Sequence, residues 1–349
     1  MLRSLRTTLS RDDFKERVYN KSKAMGSKIT ATSSLVNFDE FFRTDYCKEP
    51  EEIIEKLRAS DGDEKYNFLQ DFIHYMGRME HKPRTVRTYF SWCKSYLRSQ
   101  GIKTYNEDIK ALIRFPTEIK ESPKPLTLDI IRKLLDNSKE KRKALYLTLL
   151  SSGMRLGEAL SLRKRDFNLE SNPIKITIPG KFTKRRETRE TYISSEAREI
   201  LLRSVKRLKD DDLIFAESED PIQAENSEER AFMRLRERCG LIEKYSDEKR
   251  YVVNIHSMRA WFSTKASKEH GEEYAHSLDG HTGYLPQYYR LTSEERVQMY
   301  RELEPSLLIY GSEELAKTQK EIQTQLQFLK DEVSRYKQTT DYLMKTRIS

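Results

Sequence analysis

The chain has 349 residues, enough for two domains with separate cores and a tail. Its net charge of +9 and pI of about 9.1 favour a polyanionic partner, and 19 tyrosines with 14 phenylalanines argue against wholesale disorder. No apolar run approaches the roughly 20 residues of a membrane span. Three widely spaced cysteines form no zinc motif and no even disulfide framework, so we expect a reduced, cytoplasmic setting: Cys47, Cys93 and Cys239.

Residues 1–49 begin basic and amphipathic, without the apolar stretch of a signal peptide, and show no strong hydrophobic period. We predict a basic N-terminal arm there, partly disordered, with a first helix near Phe38–Phe42. In residues 50–115 the apolar side chains recur at helical spacing, for example at Phe68, Phe72 and Met76. This pattern predicts a small helical domain over residues 50–115.

The last long helix of that domain is predicted from Thr85 to Leu97, and Gly101 follows it as a C′ glycine does. Its apolar stripe leaves basic side chains largely elsewhere on the helix surface. Such residues form either a solvated face or a set of phosphate contacts. We favour phosphate contacts for three of them: Arg84, Arg87 and Lys94.

Three prolines within ten residues predict a linker over residues 116–126, because they cannot continue a helix. A second domain is predicted over residues 127–310, beginning with Thr127 as the N-cap of a helix. That domain is mostly helical, with one β-hairpin of strands Ile174–Pro179 and Arg189–Ser194, a long basic turn between them and a further short strand at 214–216. The fold class is therefore mainly α with a small β-sheet (α+β).

Residues 311–349 contain no proline and no glycine after Gly311, and their apolar residues alternate four and three apart. This spacing predicts a C-terminal helix, which forms either a short coiled coil or an amphipathic helix docked in cis. The seam consists of Ile322, Leu326, Leu329, Val333 and Tyr336.

Several polar residues of the second domain stand in short contexts that suit metal-free attack on a phosphodiester. Arg155 lies in Ser-Gly-Met-Arg-Leu-Gly-Glu, His256 and Arg259 form His-Ser-Met-Arg, and His281 lies in Asp-Gly-His-Thr-Gly. Two guanidinium groups can hold phosphate oxygens with paired hydrogen bonds and keep their charge. The reaction also needs a nucleophile and a proton donor for the leaving 5′-oxygen.

The contexts of Arg155 and of His256 with Arg259, in this order and separation, resemble the two arginine boxes of the tyrosine recombinases, also called phage-type integrases. His281 matches the family's last histidine box, and the resemblance implies that it positions the scissile phosphate. The resemblance implies a SAM-like helical core-binding domain at residues 50–115 and a catalytic domain that cleaves and rejoins duplex DNA through a 3′-phosphotyrosyl intermediate. It also implies a homotetramer on two DNA sites and no metal, cofactor or ATP. The Gly-Tyr-Leu-Pro-Gln-Tyr-Tyr-Arg segment is most similar to archaeal viral or plasmid integrases.

In this family a β-hairpin lysine is thought to act as the general acid. The pair Thr183–Lys184 resembles archaeal integrases, whereas Gly180–Lys181 resembles the bacterial Xer recombinases. We favour Lys184 and keep Lys181 as the alternative. The same turn offers Arg185 and Arg186 as DNA contacts.

Two adjacent tyrosines follow the last histidine box. Xer-type proteins place the nucleophile nine residues beyond this histidine, whereas Tyr288 is seven and Tyr289 eight beyond His281. The Tyr-x-Arg that precedes an acidic helix resembles the nucleophile segment of other family members. It favours Tyr288, with Tyr289 as the alternative.

The expected function is integration or excision of a mobile element by a nucleoid-associated recombinase. Three other functions stay open: a Xer-type dimer resolvase, a type IB topoisomerase, and a DNA-binding protein that has lost activity. Accessory DNA-bending proteins are further candidate partners.

Overall fold

The computed structural model describes residues 8–23, 25–60, 62–118, 121–184, 186–246, 250–281 and 290–311, together with Val333. The chain divides into two compact units between residues 120 and 121, inside the predicted linker, and each unit has a hydrophobic core of its own. No helix among the described residues is long and apolar enough to cross a membrane.

The first unit is helical throughout its described residues. Its core is rich in stacked and edge-on aromatic rings, among them Phe38, Phe41 and Phe72, which are fully buried. The helices are α1 (Arg11–Ser22), α2 (Met25–Asp45), α3 (Pro50–Ala59), α4 (Glu64–Arg78), α5 (Pro83–Ser99) and α6 (Asn106–Leu112).

The described part of the N-terminal region contains two helices, α1 and α2, where the sequence predicted one helix near Phe38–Phe42. Ser10 caps α1 by accepting a hydrogen bond from the Asp13 N–H, and Phe14 is buried in the same core as Phe38. The helix predicted near Phe38–Phe42 is the end of α2, which packs against α1 and α5. The apolar residues of α1 are few and widely spaced, so packing stabilises this helix more than its own pattern does.

The second unit combines eight helices and a three-stranded sheet within its described residues. Helix α8 is buried along its second half and packs against α10 and α12, so it forms the centre of this unit. The helices are α7 (Leu128–Asp136), α8 (Glu140–Ser152), α9 (Leu156–Ser161), α10 (Ser195–Val205), α11 (Pro221–Arg238), α12 (His256–His270), α13 (Glu272–Asp279) and α14 (Ser293–Leu307).

The sheet is antiparallel with the order β1-β2-β3, in which β1 is Phe167–Asn168, β2 is Ile174–Ile178 and β3 is Arg189–Ile193. Its hairpin strands agree with the sequence prediction. The prediction of a short strand at 214–216 is wrong, because Ile214 and Phe215 form bends and the neighbouring Leu213 pairs only in a single bridge to Arg163.

Two helix starts show how local capping sets the boundaries. Thr127 caps α7 as predicted, since its side chain accepts a hydrogen bond from the Ile130 N–H. Helix α11 begins at Pro221, because Asp220 caps it and proline suits the first helical position. The predicted seam of the C-terminal helix lies outside the described residues, apart from Val333.

Candidate active site

A glycine turn between α8 and α9 brings the first arginine box against α12. Gly153 ends α8 with φ +66, and a Cβ there would lie 2.3 Å from the Phe262 ring and 3.1 Å from the Asp279 Cβ. Both the left-handed backbone and the close approach therefore require glycine. The Gly153 carbonyl also accepts a hydrogen bond from Arg259, so the turn holds a second candidate arginine.

Arg155 is the N-cap of α9 and is fixed by Glu158 one turn later. The Arg155 backbone N–H donates to Glu158 Oε2 at 2.8 Å, and its Nη1 donates to Oε1 at 3.2 Å. The Arg155 side chain keeps 30% exposure. Its guanidinium is thus oriented by a carboxylate and still open to a ligand.

Glu158 belongs to a buried ion pair with Arg189 of β3. The two terminal guanidinium nitrogens of Arg189 donate to the two carboxylate oxygens at 3.0 and 2.7 Å, and its Nε donates to the Leu278 carbonyl at 3.0 Å. Burial opposes ionisation, but the hydrogen bonds and charge of Arg189 prevail and lower the pKa of Glu158. The pair therefore ties Arg155, β3 and the end of α13 together.

Arg259 of α12 is 2% exposed and has guanidinium donors that make no hydrogen bond within the described residues. Its Nη1 donates to the carbonyls of Gly153 and Asp279, while Nη2 lies 3.4 Å from Asp279 Oδ1. Among the described residues, Nε and Nη2 find no hydrogen-bond partner. Burial lowers the pKa of Arg259 to about 10 despite Asp279, which still leaves it charged at neutral pH. Unsatisfied buried donors on a cation are costly, and an anion would relieve that cost.

His256 begins α12, one turn before Arg259 and on the same side of the helix. Burial, followed by the charges of Arg259 and Arg155, lowers its pKa. His256 is therefore neutral at pH 7 and can accept a proton.

His281 follows α13 and is bound to Asp279, which is fully buried. The His281 backbone N–H donates to Asp279 Oδ1 at 2.8 Å, and Nδ1 lies 2.9 Å from Oδ2. Burial lowers the pKa of His281, although Asp279 acts in the opposite direction. The histidine is thus held by a buried carboxylate that also faces Arg259.

Part of this set of residues lines a cavity of about 210 Å³ in the second unit. Arg155, His256 and Arg259 line it together, beside apolar residues of α8 and the turn after it, and Glu225 and Glu229 of α11 also face it. Burial, and then the charge of Glu229, raise the pKa of Glu225. The structure thus collects three of the predicted residues at one cavity and connects His281 to Arg259 through Asp279.

The hairpin lysines lie on the turn between β2 and β3. Lys181 is exposed in the short helical turn Gly180–Phe182, which packs against α9, and its Nζ lies 4.7 Å from the Phe182 ring centroid. Lys184 and Arg186 are exposed as well. Neither lysine is among the described residues that line the cavity. Arg185, Tyr288 and Tyr289 lie outside the described residues.

In the first unit, α5 carries the other predicted DNA contacts and contains no acidic residue. Arg84 and Arg87 are exposed, and the Arg87 guanidinium lies 4.6 Å from the Phe115 ring centroid. Lys94 is half-buried and donates to Asn106 Oδ1 at 3.3 Å. The helix thus presents a basic surface held in place by its neighbours in the unit.

Sequence analysis missed the two carboxylates and the arginine that support this site. Glu158 stands three residues after Arg155, which is the spacing of a helix-capping residue. Arg189 was predicted only as part of a strand. Asp279 was quoted in the motif of His281 without a role. Its burial and its contact with Arg259 depend on the packing of α12 against α13, which spacing alone does not give.

Residues 124–282 match the model of the phage integrase family. The chain is 27% identical over 214 residues to tyrosine recombinase XerA of Thermococcus onnurineus, covering 60% of this chain and 71% of the relative.

Solved structures share the fold at low identity. A lambda integrase (75–356) dimer bound to a COC′ core site has a TM-score of 0.58 at 14% identity, covering 81% of this chain and 97% of the other. A lambda integrase tetramer bound to a Holliday junction has a TM-score of 0.55 at 15% identity, covering 81% and 78%.

Proposed function

Because this chain belongs, through residues 124–282, to the phage integrase family of tyrosine recombinases, which break and rejoin DNA strands, we propose that it acts on two duplex sites to integrate or excise a mobile element. The observation that carries the proposal is the buried Arg259, which has unsatisfied donors and lines a cavity together with Arg155 and His256. This arrangement suits the non-bridging oxygens of a phosphodiester.

Each residue of the site has a separate role in the proposed cleavage reaction. The tyrosine hydroxyl attacks the scissile phosphorus, the bond from phosphorus to the 5′-oxygen breaks, and the 3′-phosphotyrosyl bond forms. Arg155 and Arg259 stabilise the charge on the non-bridging oxygens, and neutral His256 accepts the tyrosine proton. A hairpin lysine gives a proton to the leaving 5′-oxygen. The reverse sequence on a second strand rejoins the DNA.

We assign the nucleophile to Tyr288, with Tyr289 as the alternative. On a nicked suicide substrate, Tyr288→Phe should abolish the covalent protein–DNA adduct, because no other hydroxyl replaces the attacking oxygen. Tyr289→Phe is the matched control and should leave most of the adduct. The opposite pattern would move the nucleophile to Tyr289, and normal adduct from the double variant would refute tyrosine catalysis.

We assign the general acid to Lys184, with Lys181 as the alternative. Lys184→Ala should reduce cleavage of normal DNA by about 10²–10⁴-fold. A substrate with a 5′-thio leaving group needs no proton and should restore most of the rate. Lys181→Ala provides the comparison, since selective rescue of that variant would transfer the role to Lys181.

We also propose that α5 contacts DNA phosphates through its exposed arginines, Arg84 and Arg87. Replacing both by alanine in the full chain should weaken DNA binding and lower the log–log salt slope by about 1.8, since each lost phosphate contact removes about 0.9. Binding titrations across a range of salt concentrations measure this slope.

The control for α5 removes the same charge elsewhere in the first unit. Lys56→Ala with Lys110→Ala replaces two exposed lysines of α3 and α6, and should change the salt slope less. Equal slopes for the two double variants would contradict specific phosphate contact by α5.

We further propose that the active assembly is a homotetramer on two DNA sites and that it acts at the nucleoid. The fold shared with the lambda integrase tetramer bound to a Holliday junction supports this assembly. The second candidate function is the Xer-type dimer resolution that the sequence left open, and similarity to tyrosine recombinase XerA favours it. The DNA that flanks the gene separates the two, because a tRNA-like attachment core beside it would favour integration.

A further inference from the structure

Asp279 is the most buried charged group at the site, and its carboxylate contacts both Arg259 and His281. It is 0% exposed. Oδ1 accepts from the His281 backbone N–H and lies 3.4 Å from Arg259 Nη2. Oδ2 lies 2.9 Å from His281 Nδ1 and accepts from Ser263 Oγ at 2.5 Å.

This contact decides which nitrogen of His281 carries hydrogen. A carboxylate only accepts hydrogen bonds, so Nδ1 must be the donor to Asp279. In neutral His281 the other nitrogen, Nε2, then has a lone pair and no hydrogen. It can donate to a phosphate oxygen only after it takes up a proton from water.

We propose that Asp279 is a positioning residue that makes His281 bind the scissile phosphate as an imidazolium, with Nδ1 donating to Asp279 and Nε2 donating to the phosphate. The inference rests on the proposed function and adds a protonation step to it. Asp279 acts as the counter-ion of that imidazolium and at the same time holds Arg259, so it couples the two phosphate ligands.

The charges around His281 explain why such a counter-ion is needed. Arg155 and Arg259 oppose protonation of the histidine, and the His276 ring lies edge-on at 5.6 Å. His256 of α12, neutral at pH 7, also interacts with His281, since protonation of either histidine opposes protonation of the other. The Arg189 guanidinium approaches Gly280 but is paired with Glu158. Burial lowers the pKa of His281 before DNA arrives, and Asp279 is the group that counteracts this.

The first test needs no catalysis. Histidine NMR of the full chain without DNA should show neutral His281 protonated on Nδ1, and titration should give an imidazole pKa that falls when Asp279→Asn removes the charge. Ser263→Ala is the matched control, since it removes a hydrogen bond to Oδ2 without changing the charge. Protonation of neutral His281 on Nε2 would overturn the proposal.

The second test uses the pH profile of cleavage. Wild-type cleavage should decline as the pH rises and His281 loses its proton, and Asp279→Asn should move this decline to lower pH by about one unit, because an opposite charge at this distance favours the charged form. His281→Gln should remove it. If Asp279→Asn instead lowered the cleavage rate by the same factor at every pH, Asp279 would have only a structural role and the proposal would be overturned.

The two tests keep the inference separate from the proposed function. A wild type that forms no adduct at any pH would refute the proposed function, and the NMR result would still decide the His281 tautomer. Normal adduct formation together with neutral His281 protonated on Nε2 would refute the inference alone.

Discussion

Arg259→Ala should reduce covalent adduct formation on the suicide substrate by at least about 10²–10³-fold, because it removes a preorganised donor to the phosphate. The same change leaves Asp279 buried without its cation, which should lower the free energy of unfolding by about 3–5 kcal/mol. Adduct yield against time and urea denaturation measure the two effects separately.

Arg259→Lys is the matched control for charge. It keeps a cation near Asp279 but loses the planar guanidinium that donates to two carbonyls and, in the proposed reaction, to the phosphate. We expect it to recover more stability than activity. Wild-type adduct formation by a folded Arg259→Ala protein would contradict the role of this residue.

Arg189→Ala should destabilise the second unit by about 3–5 kcal/mol, because it leaves the Glu158 carboxylate buried with only Arg155 as a charged partner. It should also lower activity, since Glu158 orients Arg155. Arg203→Ala removes an exposed arginine that pairs with Glu140 and Glu199, and should cost about 0–1 kcal/mol. Equal effects of the two substitutions on urea denaturation would contradict a buried, orienting pair.

The loss of stability caused by Arg189→Ala should depend on pH in a definite direction. The pKa of Glu158 is lower in the folded protein than its ordinary value of 4.5, so the pair adds stability above that pH. This contribution is lost as pH falls through the folded pKa. The difference between the wild type and Arg189→Ala should therefore narrow as the solution is acidified below about pH 4.5.

Local patterns predicted much of the fold and the primary site residues. The Thr127 cap and the β2–β3 hairpin depend on neighbours in sequence, and the arginine boxes have distinctive short contexts. The structure then places Arg155, His256 and Arg259 at one cavity.

Long-range packing explains what the sequence did not predict. Helix α1 has a weak pattern of its own and is stabilised by its neighbours in the first unit. Glu158 and Arg189 are 31 residues apart, and Asp279 meets Arg259 only because α13 packs against α12. Buried ion pairs of this kind depend on the tertiary fold, which a linear motif does not contain.

The most direct test of the central claim is to locate the covalent bond in the wild-type protein. The adduct trapped on a nicked suicide substrate in EDTA should be digested with protease and nuclease and mapped by mass spectrometry. We expect a 3′-phosphonucleotide on the peptide that contains Tyr288, attached to that tyrosine. Attachment to a residue other than Tyr288 or Tyr289, or no adduct from folded, DNA-binding protein, would contradict it.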